Sequence, residues 1–278
     1  MLNKWFKNIK RVDNCKLRMF CFPHAGGAAQ IFNKWECYLP DDVELYAVQL
    51  PGRADRINEP LCSNFDIIIN NLTESIFPLL NPPFIFIGHS FGGAIAFEIA
   101  KKLRRLNIKL PERLFIIGRE GPSIPENIPK YNLPDDEFIK YLRSQSGIHE
   151  DILEDKDAMH FFLPILRNDI KLADTYYLYY TREAPLSCPI NVFYGEKETD
   201  LDLNSVGDWK NETINSFNVD QFDGHHFFLH EQTDKVIKKM FSYINLEISE
   251  YGNKHTSFLT NTFNSINNTK VSIQHEIT

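Results

Sequence analysis

Between Phe84 and Leu106 the chain passes from an unbroken apolar run to a helical repeat with almost nothing in between. Phe84-Ile85-Phe86-Ile87 reads as a buried strand, and Ala94 to Leu106 sets Ile95, Ile99, Leu103 and Leu106 at helical spacing, with Glu98 and Lys102 paired four apart. The link is Gly88-His89-Ser90-Phe91-Gly92-Gly93, which contains a G-x-S-x-G. Its glycines let the backbone turn sharply and leave Ser90 at the tip. The helix behind it offers backbone N–H groups and a positive dipole end to a developing anion. The pattern alone is short enough to arise by chance; a strand before it and a helix after it are the context a nucleophilic serine needs.

With 278 residues, 43% of them hydrophobic, the chain is long enough for one large α/β domain with a well-buried core. A net charge of −7 gives no basic excess and argues against nucleic acid. The basic group Lys101, Lys102, Arg104 and Arg105 closes the helix after the turn, where positive charge suits the dipole. Five cysteines, an odd number without metal-ligand spacing, read as reduced thiols of a cytoplasmic protein. No secretory h-region or membrane-length apolar run is visible, no metal-ligand cluster stands out, and nothing encodes an oligomer interface, so a monomer is expected.

Residues 1–15 read as a polar leader and 16–247 as the folded domain. The expected strands are Leu17 to Phe22, Val43 to Val48, Phe84 to Ile87, Leu114 to Ile117, Ile190 to Tyr194 and Phe217 to Phe222. Phe65 to Leu80 reads as a helix ending near Pro78. From about 122 to 185 the strand pattern gives way to helix pattern, with a break or kink expected at Pro164. This stretch reads as a helical lid inserted into the sheet domain, its aromatics available both to the core and to an acyl pocket. Residues 248–278 are polar, aperiodic and expected to be a disordered tail.

A serine hydroxyl is barely ionised at neutral pH and needs a base, and the base needs an acid to fix its tautomer. His225 and His226, after the last strand, are the base candidates. The acid belongs in the loop after Ile190 to Tyr194, where Glu196, Glu198 and Asp200 all stand; periodicity does not choose among them. The strand Leu17 to Phe22 ends in Pro23-His24-Ala25-Gly26-Gly27, where an α/β-hydrolase builds half of its oxyanion hole; the other half is the N–H after the serine, here Phe91.

Five motifs in order, Phe22-Pro23-His24-Ala25-Gly26-Gly27, Gln49-Leu50-Pro51-Gly52-Arg53, Gly88-His89-Ser90-Phe91-Gly92-Gly93, Leu133-Pro134-Asp135-Asp136-Glu137-Phe138 and Phe222-Asp223-Gly224-His225-His226-Phe227-Phe228-Leu229, resemble the type II thioesterases of non-ribosomal peptide and polyketide synthesis. The animal medium-chain fatty-acid thioesterase belongs to the same family. The resemblance runs from about Leu17 to Leu246. It implies an α/β-hydrolase fold, a mostly parallel sheet with a helical lid, and hydrolysis of acyl groups from the phosphopantetheine arm of an acyl or peptidyl carrier protein. By motif, Ser90 is the nucleophile, His226 the base, Glu198 the acid with Asp200 as alternative, and the N–H groups of Ala25 and Phe91 the oxyanion donors. No metal or organic cofactor is implied beyond the phosphopantetheine carried by the substrate. Three positions depart from the family pattern: His225 replaces a glycine, Glu198 an aspartate, and Phe91 a methionine or leucine. Two other readings are a general serine esterase or acyl-CoA hydrolase or acyltransferase of the same fold, and a hydrolase-fold binding protein without catalysis.

Overall fold

The computed structural model describes residues 3–125, 129–145 and 147–244; the expected tail at 248–278 lies outside them. Seven strands, β1 (Phe6–Lys10), β2 (Leu17–Phe22), β3 (Val43–Val48), β4 (Phe84–His89), β5 (Arg113–Ile117), β6 (Ile190–Gly195) and β7 (Phe217–Phe222), form one sheet in the order β1-β3-β2-β4-β5-β6-β7. All neighbours pair in parallel except β1 with β3. The pleat sorts the apolar runs. Phe20, Phe22, Phe84 and Phe86 face one core with α1 (Phe65–Ile76) and α2 (Phe91–Arg105). Met19, Cys21, Ile85 and Ile87 face a second core closed by the 3-10 segment Ala29–Tyr38 and the last helix. Apolar residues on both faces are what a parallel sheet covered on both sides requires.

β1 differs from the expected polar leader. Its five residues carry little apolar pattern, yet Phe6 is buried edge-on against Phe20, centroids 5.5 Å apart, and against Phe22. One aromatic anchor and backbone pairing with β3 are enough to make this an edge strand, with a register shift between Asn8 and Lys10.

Between β5 and β6 the chain leaves the sheet and forms α3 (Asp135–Ser144), α4 (Glu150–Glu154), α5 (Lys156–Asp174) and α6 (Tyr176–Tyr179). Phe138, Leu142, Leu153, Met159, Leu166 and Ile170 give them a core of their own. Of the break or kink that Pro164 suggests, the break does not occur: α5 runs through Pro164 without interruption. Proline removes one backbone hydrogen bond from the helix, and Ile165, Leu166 and Ile170 just beyond it are buried. After β6 come α7 (Leu203–Gly207), α8 (Phe228–Glu231) and α9 (Thr233–Phe241). No helix among the described residues is long and apolar enough to cross a membrane.

β4 is the central strand. The chain pairs β2 and β3 on one side of it and adds β5 to β7 on the other, so the carboxyl end of β4 opens at the point where the winding reverses, the usual place for a ligand site in such sheets.

Candidate active site

Ser90 follows β4 directly, with φ +53° and ψ −113°, a conformation that non-glycine residues rarely adopt. Its N–H donates to the Ile117 carbonyl at 2.7 Å, and Gly93 N–H donates to its carbonyl at 2.9 Å, so backbone bonds hold the turn on both sides. The turn also demands close approach. A Cβ on Gly92 would lie 2.0 Å from the Phe22 carbonyl oxygen, and one on Gly88 would lie 2.5 Å from Gly92 O. Phe91 opens α2, so its N–H is one of the first-turn donors that have no partner within the helix. Its side chain is fully buried against Phe65.

His226 Nδ1 lies 2.7 Å from Glu198 Oε2. The other carboxylate oxygen, Oε1, accepts the Gly195 N–H at 2.7 Å. Both residues sit on loops that are stitched together: Glu196 N–H donates to Phe222 O, and Lys197 N–H to Gly224 O. The Glu198 side chain therefore folds back over its own turn, which is how a residue longer than aspartate reaches the imidazole from this position. It is 4% exposed, and that of His226 is 18% exposed. With Nδ1–H committed to the carboxylate, the neutral ring carries its lone pair on Nε2.

The other loop carboxylates bond to other side chains, although Asp200 lines the same cavity. Asp200 accepts from Gln145 Nε2 at 2.9 Å, and Glu196 from Gln221 Nε2 at 3.1 Å. His225 turns onto the acid loop, its Nδ1 3.1 Å from the Lys197 carbonyl. Gly118, after β5, supports the imidazole–carboxylate pair: a Cβ there would come 3.0 Å from His226 Nδ1 and 3.2 Å from Glu198 Oε2.

Beneath this layer lie three more imidazoles, His24, His89 and His230. Their ligand atoms are within 4.8 Å of one another, and among the described residues they are the grouping that meets metal-binding range. The cluster was not visible in the sequence because three separate segments supply it. His24 Nδ1 lies 2.9 Å from the Ala25 carbonyl and His89 Nε2 2.9 Å from that of His226, contacts in which each ring donates. Burial, then the other imidazoles nearby, pushes His89 well below the ordinary range and His230 down to about 4. Burial takes His24 down to about 3. All three are neutral at neutral pH, and the His89 contact fixes the backbone of His226 rather than its ring.

Ser90, Ala25, His226 and Glu198 line a cavity of about 530 Å³. Leu142, Met159, Phe162, Ile165, Leu166 and Ile170, from the helices between β5 and β6, supply an apolar wall. The loop that carries Ala25 is held from that side as well: Gly26 N–H donates to Asp169 Oδ2 at 2.8 Å, and Asp169 is paired with Arg53. Asp169 was not singled out by the sequence.

Comparison with known proteins agrees with this architecture. The family model described as "Thioesterase domain" matches residues 17–244. Gramicidin S biosynthesis protein GrsT of Aneurinibacillus migulanus is 38% identical over 249 residues, 89% of this chain and 96% of its own. Thioesterase PikA5 of Streptomyces venezuelae is 32% identical over 233 residues, covering 84% and 82%. The solved type II thioesterase BorB, from the borrelidin biosynthetic cluster, aligns with a TM-score of 0.77 at 28% identity, covering 86% of this chain and 96% of that one.

Proposed function

The chain belongs to the thioesterase-domain family, and from that premise we propose that Ser90, His226 and Glu198 hydrolyse acyl groups from the phosphopantetheine arm of a carrier protein. The observation that carries the residue assignment is the 2.7 Å contact between His226 Nδ1 and the buried Glu198 carboxylate, beside Ser90 in an apolar-walled cavity.

His226 Nε2 takes the Ser90 proton as Oγ attacks the thioester carbonyl. The N–H groups of Ala25 and Phe91 receive the charge that develops on the carbonyl oxygen. The C–S bond breaks, the imidazolium returns its proton to the pantetheine sulfur, and the free thiol leaves. Water, deprotonated by the same imidazole, then attacks the acyl-serine; the Oγ–C bond breaks, the imidazolium returns its proton to Ser90 Oγ, and the carboxylic acid departs. Glu198 stays ionised and stabilises the imidazolium in both halves. These steps call on no metal and no organic cofactor; the phosphopantetheine arrives with its carrier. Relatives named for gramicidin S biosynthesis and the borrelidin cluster support a partner that is a synthase carrier protein.

The test compares hydrolysis of acetyl- and longer acyl-phosphopantetheinyl carrier protein by wild type, Ser90→Ala, Glu198→Gln and Asp200→Asn. Expected are loss of turnover to background in Ser90→Ala, a fall in kcat of about 10²–10⁴-fold in Glu198→Gln, and near-wild-type kcat in Asp200→Asn. Collapse of Asp200→Asn with an unaffected Glu198→Gln would overturn the acid assignment. A wild-type protein that cleaves small esters but no loaded carrier would overturn the substrate.

A further inference from the structure

The Ala25–Gly26 peptide is held at both of its polar ends. Its carbonyl oxygen accepts from His24 Nδ1 at 2.9 Å, and its N–H donates to Asp169 Oδ2 at 2.8 Å. Asp169 comes from α5, 143 residues away in sequence, and is 1% exposed. The Arg53 guanidinium grips its carboxylate, Nη2 on Oδ1 at 2.9 Å and Nη1 on Oδ2. Arg53 Nη1 also donates to the Gly27 carbonyl at 3.3 Å. One turn earlier on α5, Leu166 packs onto the same peptide; a Cβ on Gly26, whose φ is +78°, would lie 2.5 Å from Leu166 Cδ2.

We propose that Asp169 and Arg53 are positioning residues for the oxyanion hole: the carboxylate of the roof helix pins the Ala25–Gly26 peptide, and through the shared Ala25 Cα it anchors the preceding His24–Ala25 peptide, which carries the Ala25 N–H, when α5 is seated over the loop. The proposal rests on the serine-hydrolase reading above. Glycine at position 26 leaves the peptide little steric resistance to rotation, so its hydrogen bonds must fix it. Rotation would turn the Ala25 carbonyl toward a buried carboxylate and lose both bonds at once. A bare carboxylate here would oppose the negative charge that forms on the substrate oxygen. Arg53 cancels that charge while leaving Oδ2 able to accept from Gly26, which accounts for a buried ion pair where a neutral acceptor would be simpler. The Gln49-to-Arg53 motif thereby acquires a role: the Gln49 side chain ties Ala29 N–H to the Arg53 carbonyl, holding the Arg53 backbone against the far end of the same loop.

The experiment measures kcat and KM on acyl-carrier protein, together with affinity for an alkyl boronic acid, whose adduct with Ser90 places an oxygen in the hole. The double variant Arg53→Met/Asp169→Leu removes both charges and Gly26's acceptor while filling the space with apolar groups. It is expected to fold, to lose kcat about 10–100-fold with KM little changed, and to lose boronate affinity in proportion. Arg53→Lys keeps the charge but not the fork and serves if the double variant does not fold; its kcat is expected to drop about 3–10-fold at unchanged KM. Wild-type kcat and boronate affinity in the folded double variant, or in Arg53→Lys if only that one folds, overturn the proposal. Failure of the parent reading would look different: Ser90→Ala would then keep its turnover, whereas failure of the clamp leaves Ser90 essential.

Discussion

Acidification should unfold this protein through its buried imidazoles before its carboxylates begin to matter. Burial depresses His24 from 6.5 to about 3 and His230 from 6.5 to about 4. The unfolded chain therefore binds protons that the native state refuses, and stability present above the unfolded value is lost as pH falls toward the folded one. Between pH 7 and pH 5 each group costs about 2 kcal/mol, so the two together remove about 4 kcal/mol, a large share of a typical domain's stability. His89, displaced in the same direction, adds to this. Glu98, raised by burial, works in the opposite sense. Urea unfolding followed by fluorescence of the buried Trp35 and Trp209, at pH 7, 6, 5.5 and 5, reads the slope. His230→Leu should cut the loss over this window from about 4 to about 2 kcal/mol. At pH 7 the variant should be no less stable than wild type by more than about 1 kcal/mol, because it removes a buried Nε2 that has no hydrogen-bond partner. A wild-type stability that stays flat from pH 7 to 5, or a His230→Leu variant with the wild-type slope, would refute the reasoning.

Gly92→Ala should destabilise by more than about 3 kcal/mol, since its Cβ would meet the Phe22 carbonyl, which is backbone and cannot swing aside; Gly207→Ala, with open space at its Cβ, is the control, and thermal melts of the two should differ by well over the control's own shift. His225→Gly removes a ring whose Nδ1 meets the Lys197 carbonyl, so kcat should stay within about 3-fold of wild type; a larger loss in steady-state assays would mean that this ring takes part in the reaction or holds the substrate.

Legibility in the sequence followed the range of the forces involved. Strands β2 to β6 were readable because each is a mostly apolar run, β7 by Phe217, Val219 and Phe222 among polar residues, and the serine turn because its glycines, strand and helix are contiguous. β1 was missed because its apolar content is Phe6 and Ile9 among lysines, and its place in the sheet comes from partners on β2 and β3. Adjacent His225 and His226 could not be told apart by pattern; what separates them is which one faces Glu198, a contact across 28 residues. Likewise three acidic side chains share one loop, and only the backbone bonds of that loop put Glu198 at the imidazole while Asp200 turns to Gln145. Asp169 left no local mark at all, since its partners at Gly26 and Arg53 lie more than a hundred residues away.

The helices over the cavity enter and leave the chain between two neighbouring strands, β5 and β6. Such a segment invites treatment as an interchangeable cassette: exchange it between relatives, and the acyl preference should travel while the engine below stays intact. The Asp169 contact makes that modularity incomplete. A transplanted roof that fits both strand ends but lacks a carboxylate facing Gly26 would leave Arg53 stranded as an unpaired cation in the core. Any recombination of this enzyme therefore has three seams to match, two covalent and one electrostatic.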